Sequence, residues 1–308
     1  MSATVSSAPP PAAPNDAGFT LTEALITCVI LLVLFGTSID SLNQTTTLGR
    51  SVGNRNEMHA SVRGATELLQ QEIGQAGRVA LPAPVTLTGA VAAGPNSVTV
   101  SSTAGLFVGA HVVIGAGVLR ETVTLTAASG GSITGTFAEA HSAGEPLTIL
   151  GGFPTGVVPP GMLNGSTGTK LKLYGDINDD GQMVYVEYTC DFALNNLYRN
   201  VVPWNAASKP ALTEELVLLN NVIANPGGSP CFTYQTEIVN ATTYVTGVAV
   251  TLSVRSQQID VYSKQTLAAT KTLLNVSPRN IFLVWSMASI GITNRLQPMP
   301  ATILALLP

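Results

Sequence analysis

The sequence predicts an α+β protein in which a long N-terminal α-helix, membrane-embedded over its first half, packs on an antiparallel β-sheet, with an inserted all-β module. Three observations support this prediction. An apolar run near the N-terminus leads directly into an amphipathic helical pattern. Prolines at positions 82 and 84 break that pattern, and short strand-like runs between glycine-rich turns make up nearly all of the remaining chain.

The composition limits the classes of function. The chain has 308 residues, enough for one large or two modest globular units. Only 10% of the residues are charged and the formal net charge is -4, so there is no broad basic surface for a phosphate backbone. We therefore expect no nucleic-acid partner. The abundance of Thr, Ser, Val and Gly favours a β-rich protein that works outside the cytoplasm or within an assembly.

Four regions follow from these patterns. The amphipathic stripe has apolar residues at steps of three and four, namely Met58, Val62, Ala65, Leu69, Ile73 and Ala76. The predicted boundaries are residues 1–18 for a leader peptide, 19–80 for the transmembrane and assembly helix, 81–152 for the inserted small β domain and 153–308 for a C-terminal β-sheet domain.

The N-terminal segment contains a carboxylate where a membrane helix should be apolar. Residues 1–18 are small and proline-rich, so we expect them to be disordered or removed. Residues 19–39 reach the ~20 residues that a spanning helix needs, but only if Glu23 is counted. Because a carboxylate in a membrane helix is costly, it marks a functional site.

Two ordinary explanations of this segment fit poorly. Residues 24–36 have the length of the apolar core of a secretory signal peptide, but no Lys or Arg precedes them and no small-residue cleavage site separates them from the following helix. A plain membrane anchor leaves Glu23 and the glycine before it unexplained.

The hexapeptide Gly18-Phe19-Thr20-Leu21-Thr22-Glu23, followed by an apolar helix, resembles the class III signal of type IV prepilins and type II secretion pseudopilins. The resemblance implies that a prepilin peptidase cleaves between Gly18 and Phe19 and methylates the new N-terminus. It also implies that Glu23 pairs with the N-terminus of a neighbouring subunit, so that Phe19 and Glu23 serve assembly. The leader lacks the basic residue that usually precedes the glycine in this family.

The distal half carries a second resemblance. Four segments follow one another here: Leu197-Tyr198-Arg199, then a Phe-Thr-Tyr strand, then a Val-rich strand that ends at Arg255, and last Ser277-Pro278-Arg279-Asn280. This order resembles that of PilW-like minor pilins and J-type pseudopilins. The inserted module is not part of that common pattern.

These resemblances imply a subunit of a type IV pilus, or fimbrium, that starts in the bacterial inner membrane as a single-pass protein and ends in a surface or periplasmic filament. The implied partners are the prepilin peptidase, other pilins or pseudopilins and an inner-membrane assembly platform. Two alternatives remain open. One is a type II secretion pseudopilin, and the other is a membrane-anchored β-domain adhesin, or binding module for cell adhesion, that does not polymerise.

The three cysteines divide into two groups. Cys28 lies in the apolar run, where a thiol behaves as a small hydrophobic group. Cys190 and Cys231 lie in strand-like segments of the distal half. Outside the cytoplasm they can form a disulfide, and the alternative is a pair of reduced thiols in the core.

One motif has the spacing of a calcium loop. Asp176, Asn178, Asp180 and Gly181, with Glu187 further on, match the EF-hand pattern, and hard oxygen ligands suit Ca²⁺. Strand-like segments flank the motif instead of helices. The alternative is therefore a β-hairpin loop in which Asp, Asn and Gly supply the turn conformations.

Catalytic chemistry is not expected. The chain has three histidines, with no nucleophile elbow and no paired acids in an evident pocket, so we assign no catalytic residue. His111 and His141 lie in the inserted module, and we interpret them as turn or surface residues and not as metal ligands. No cofactor other than a possible Ca²⁺ is predicted.

Overall fold

The computed structural model describes Gly18, residues 20–260 and residues 263–308. It confirms the α+β class, with one long N-terminal helix and antiparallel strands over most of the remaining chain. The chain falls into two compact units, of which the first ends at Gly53 and the second runs from Asn54 to Pro308.

The helices are α1 (Leu21–Gln75), α2 (Arg279–Ser289) and α3 (Ala301–Leu306). The strands are β1 (Val85–Thr86), β2 (Gly94–Thr99), β3 (His111–Ile114), β4 (Glu121–Ser129), β5 (Ser132–Phe137), β6 (Pro146–Ile149), β7 (Lys170–Gly175), β8 (Val184–Asp191), β9 (Asn196–Pro203), β10 (Val217–Asn220), β11 (Val222–Ile223), β12 (Phe232–Val239), β13 (Thr242–Ile259) and β14 (Thr266–Val276). Short 3-10 turns lie at Gly117–Leu119, Glu214–Leu216 and Pro226–Gly228.

The second unit is built on the C-terminal part of α1. All six residues of the predicted stripe are buried in one apolar core. Helix α1 ends at Gln75, and Gly77 follows with a φ of +81°. A Cβ at Gly77 would lie 2.8 Å from Cγ1 of Ile281 and 2.9 Å from the carbonyl oxygen of Phe153, so both the backbone angle and the space require glycine.

A four-stranded antiparallel sheet, called the central sheet below, has the strand order β10-β9-β8-β7. It lies between two cores. Leu173 and Val186 belong to the core that contains α1. Tyr174 and Tyr185, which point to the opposite face because strand side chains alternate, belong to the second core. This sheet is therefore buried on both faces, which makes any charge on it costly unless it is paired.

A separate antiparallel sheet, called the third sheet below, packs on the core that contains α1. In it β13 pairs with β11 and β12 along one edge and with β14 along the other. Helix α2 packs on this core through Ile281, Val284 and Ala288. Helix α2 is not predicted from the sequence, because residues 280–294 contain no charge that would mark a polar face.

The inserted region forms a six-stranded antiparallel sheet in the order β1-β6-β3-β4-β5-β2. Its core also contains Phe153, Tyr174 and Tyr185, together with Ile303 and Leu306 of α3. Residues 81–152 thus share one apolar core with residues from the region 153–308.

Candidate functional site

The N-terminal segment of α1 is capped by its own side chains. The carboxylate of Glu23 accepts hydrogen bonds from the backbone N–H and the hydroxyl of Thr20, both at 3.0 Å. The N–H of Glu23 donates in return to the hydroxyl of Thr20 at 3.3 Å. This is a capping box, and its Thr-x-x-Glu signature is readable in the sequence. Gly18 is exposed, whereas Phe19 lies outside the described residues.

The first part of α1 exposes its apolar side chains. Leu25, Ile30, Leu32 and Phe35 each expose more than half of their surface, and the helix is long and apolar enough to cross a membrane. Such a run of exposed apolar surface on a monomer needs lipid or another protein to cover it.

Hydroxyl side chains along this apolar helix bond to its own backbone. Thr27 donates to the carbonyl of Glu23 at 2.7 Å, and Ser38 donates to that of Leu34 at 2.7 Å. Thr45 makes the same kind of bond. These internal bonds leave few polar groups that require water, as a bilayer demands.

A buried ionic cluster joins α1 to the central sheet within the second unit. Glu72 of α1 is only 3% exposed. Its Oε1 accepts hydrogen bonds from Arg199 of β9, with Nε at 3.1 Å, and its Oε2 accepts one from the hydroxyl of Tyr188 of β8. A buried carboxylate with this many donors is a specific attachment point between helix and sheet.

Cys190 and Cys231 are joined by a disulfide bond. Cys190 lies in β8, and Cys231 immediately precedes β12, so the bond connects the central sheet to the third sheet. The remaining cysteine, Cys28, is free and exposed on α1. A disulfide of this kind is typical of proteins outside the reducing cytoplasm.

The structure does not bring the predicted calcium ligands together as one set. Asp176, Asn178 and Asp180 lie in the loop between β7 and β8, but Glu187 lies within β8 and faces lysines. Within the described part of the chain, no three or more His, Cys, Asp or Glu side chains are placed to hold a metal.

Glu187 is instead the centre of a buried charge cluster. Its Oε2 accepts hydrogen bonds from Nζ of Lys209 at 2.6 Å and from the hydroxyl of Tyr185 at 2.7 Å. Nζ of Lys170 and of Lys172 lie within 3.8 Å of its carboxylate. Burial raises the pKa of Glu187, but the Lys209 and Tyr185 hydrogen bonds and the lysine charges outweigh it and leave the pKa lowered. Glu187 is therefore an anion held by cations.

His141 is buried and bridges two carboxylates, an arrangement called the His141 clamp below. The prediction that His141 is a turn or surface residue is therefore wrong. His141 is 3% exposed, and its Nε2 and Nδ1 each lie 2.7 Å from a carboxylate oxygen, of Glu121 and Glu145 respectively. Ionised carboxylates only accept hydrogen bonds, so both ring nitrogens donate and the ring is an imidazolium. Burial lowers the pKa of His141, but the bonds and charges of Glu121 and Glu145 raise it above its ordinary value.

We expect this clamp to make stability depend on pH. Because the pKa of His141 is raised in the folded state, the protonated ring contributes to the free energy of unfolding. This contribution is fully present below the ordinary pKa of 6.5 and is lost as the pH rises through the raised pKa. The free energy of unfolding by urea, measured from about pH 6 to 9, should therefore fall more steeply in the wild type than in His141→Gln. His59→Gln, at an exposed position, is the control and should follow the wild type. Parallel curves for all three proteins would contradict the clamp.

Comparisons with known protein families, curated proteins and solved structures found no match for this chain. The class of protein therefore rests on its architecture, which is pilin-like: an apolar N-terminal helix followed by antiparallel sheets that pack on the helix's C-terminal part. The membrane-capable helix and the disulfide together indicate a membrane-anchored protein with its globular part outside the cytoplasm.

Proposed function

We propose that this chain is a minor pilin or pseudopilin, a non-enzymatic subunit of a type IV pilus-like filament. It is made as an inner-membrane precursor, cleaved by a prepilin peptidase between Gly18 and Phe19, and assembled through α1. The observation that carries the proposal is that α1 runs as one helix from Leu21 to Gln75. A secretory signal peptide would be cut away from the mature protein, whereas this helix continues into residues that form the core of the globular unit.

In this proposal, assembly changes what covers the exposed apolar surface of α1. Lipid covers the first part of α1 in the membrane, and helices of other pilins or pseudopilins replace the lipid when an inner-membrane platform draws the subunit into a filament. The sheets remain outside the helical bundle, because they are attached to the C-terminal part of α1 through Glu72 and the buried stripe.

Glu23 has two candidate roles in this scheme. In one, its charge pairs with the N-terminus of a neighbouring subunit at Phe19. In the other, it only caps its own helix through Thr20. The roles differ in chemistry, because capping needs an acceptor that glutamine also provides, whereas pairing with an ammonium group needs the charge.

Filaments sheared from cells that make the full chain provide the test. We expect mass spectrometry to find the chain in the filament fraction with a methylated Phe19 as its first residue. Glu23→Gln should reduce the amount in filaments by about tenfold, because the charge that pairs with the neighbouring N-terminus is lost. Thr20→Ala, which keeps the charge but weakens the cap, should assemble nearly as wild type. Membrane insertion should be unchanged in both variants.

Three results would count against the proposal or part of it. A first residue other than Phe19 would remove the processing step. Wild-type chain found only in membranes would indicate an anchored β protein that does not polymerise. Normal assembly of Glu23→Gln together with impaired assembly of Thr20→Ala would assign Glu23 to capping alone.

A further inference from the structure

We propose that the side chains of Lys209 and Asn200 join in an intramolecular isopeptide bond, which the chain forms by itself with Glu187 as the acid–base group. The inference does not depend on the filament role. It concerns the charge cluster around Glu187 on the central sheet, which the proposed function leaves without a task. The bond would link β9 covalently to the segment between β9 and β10.

Lys209 and Asn200 both lie beside the carboxylate of Glu187. Nζ of Lys209 is 2.6 Å from Oε2 of Glu187. Asn200 of β9 is the direct cross-strand partner of Glu187 of β8. Directly opposed residues of an antiparallel pair have Cβ atoms about 4.5 to 5.5 Å apart, and their side chains point to the same face of the sheet. One carboxylate therefore holds the amine and borders the carboxamide.

The carboxamide of Asn200 is held in place but incompletely bonded. Asn200 is only 4% exposed, and its Nδ2 donates a hydrogen bond to the carbonyl oxygen of Pro210 at 2.9 Å. Pro210 directly follows Lys209, so the segment that carries the amine is attached to the carboxamide that the amine would attack. Oδ1 of Asn200 is buried and has no hydrogen-bond partner among the residues that the structure describes. A buried amide oxygen without a donor is costly, so this group calls for an explanation.

The cluster contains more positive than negative charge. Nζ of Lys170, Lys172 and Lys209 each lie within 3.8 Å of the carboxylate of Glu187, so three ammonium groups face one carboxylate. Lys172 is 3% exposed, and burial lowers its pKa. Buried charge without a counter-charge is costly, so a reaction that removes one ammonium group relieves the cluster. The same excess of positive charge would stabilise the oxyanion that forms when an amine adds to Cγ of Asn200.

The reaction balances without a further reactant. Nζ of Lys209 gives a proton to the carboxylate of Glu187 and adds to Cγ of Asn200 as a neutral amine. The bond between Nζ and Cγ forms, and the bond between Cγ and Nδ2 breaks. Glu187 relays the two protons that Nζ loses to Nδ2, which leaves as an ammonium ion. Charge is conserved, and the cluster loses one cation.

A purely non-covalent cluster is the competing explanation. In it Lys209 only neutralises Glu187, and a water molecule donates to Oδ1 of Asn200. The two explanations differ in mass and in connectivity, because only the isopeptide bond both releases ammonia and joins the two segments. A succinimide at Asn200 also releases ammonia but joins nothing, so the test must measure connectivity together with mass.

Mass spectrometry of the full chain, purified from membranes in detergent and then digested, provides the test. A protease that cleaves after aromatic residues cuts at Trp204, which lies between Asn200 and Lys209. We expect the fragments on the two sides of this cut to remain joined in most molecules. Their joined mass should be about 17 Da below the sum of the two separate fragments, because one ammonia has left.

Matched variants identify the reacting groups. Lys209→Arg keeps the positive charge beside Glu187 but removes the amine, so its fragments should separate at full mass. Lys170→Arg is the control, because Lys170 also lies within 3.7 Å of Glu187, and it should remain linked. Asn200→Asp should form the same link with a loss of about 18 Da, because water leaves in place of ammonia. Glu187→Gln should leave the fragments separate, and Lys209→Arg decides the matter if Glu187→Gln does not fold.

Three results would overturn the proposal. The first is separate fragments at full mass in the wild type, which would leave only ion pairs. The second is a loss of about 17 Da that persists in Lys209→Arg, which would indicate a succinimide. The third is a link that runs through Lys170 or Lys172 and not through Lys209.

Discussion

Replacing Arg199 with alanine should lower the free energy of unfolding by about 3 to 5 kcal/mol, because Glu72 would remain as a buried charge without its cation. The hydroxyl of Tyr188 would be the remaining donor of this cluster, and one neutral hydrogen bond cannot replace a guanidinium. Chemical denaturation of the full chain in detergent, followed by tryptophan fluorescence, measures the loss.

The same helix provides a matched control. Arg63 and Glu67 also form an Arg–Glu pair, with Nε at 2.7 Å from Oε1, but their side chains are 75% and 60% exposed. Arg63→Ala should therefore leave the free energy of unfolding nearly unchanged. Combining Arg199→Met with Glu72→Gln should recover much of the loss, because it removes the buried charges together. Equal effects of Arg199→Ala and Arg63→Ala would show that the Glu72 cluster is not a significant attachment.

The second large effect concerns the disulfide. Replacing both Cys190 and Cys231 with alanine should lower the free energy of unfolding by about 4 kcal/mol, the chain-entropy value for a loop of this length. The two residues are 41 positions apart in the sequence, and the bond joins the central sheet to the third sheet. Most of the effect acts on the unfolded chain, which becomes less constrained without the cross-link.

Reduction provides a test without mutation. Dithiothreitol should lower the denaturation midpoint of the wild type and leave the double variant unchanged. Cys28→Ala removes the exposed free thiol and should behave as wild type before and after reduction. A wild-type midpoint that does not respond to complete reduction would contradict the expected contribution of this bond.

Local patterns predict the elements that depend on sequence neighbours. The stripe from Met58 to Ala76 is readable because every member faces one side of a helix. Strands such as β4 and β5 are readable because alternation and glycine turns are local signals. Helix α2 is not, because its outward face carries Phe282 and Leu283 where a polar stripe would have marked it.

The candidate sites likewise combine residues that are close in the sequence with residues that only the strand register brings together. The spacing of Asp176, Asn178 and Asp180 correctly indicates one loop, which lies between β7 and β8, because turn residues are close in sequence. The spacing of Glu187 also fits, but the register of β7 and β8 places it opposite Lys172, in a row that continues to Asn200 of β9. Strand register thus directs this carboxylate to cations on the sheet and away from the loop.

The sequence by itself determined the features that short-range chemistry controls: the apolar helix, the buried stripe on its C-terminal part and the short strands between glycine-rich turns. Only the tertiary structure decided which buried charges meet. Glu72 and Arg199 are far apart in the sequence, and His141 meets Glu121 across a separation of 20 residues. A buried charge must be compensated by whatever the fold brings within a few ångströms, and packing and strand register choose that partner.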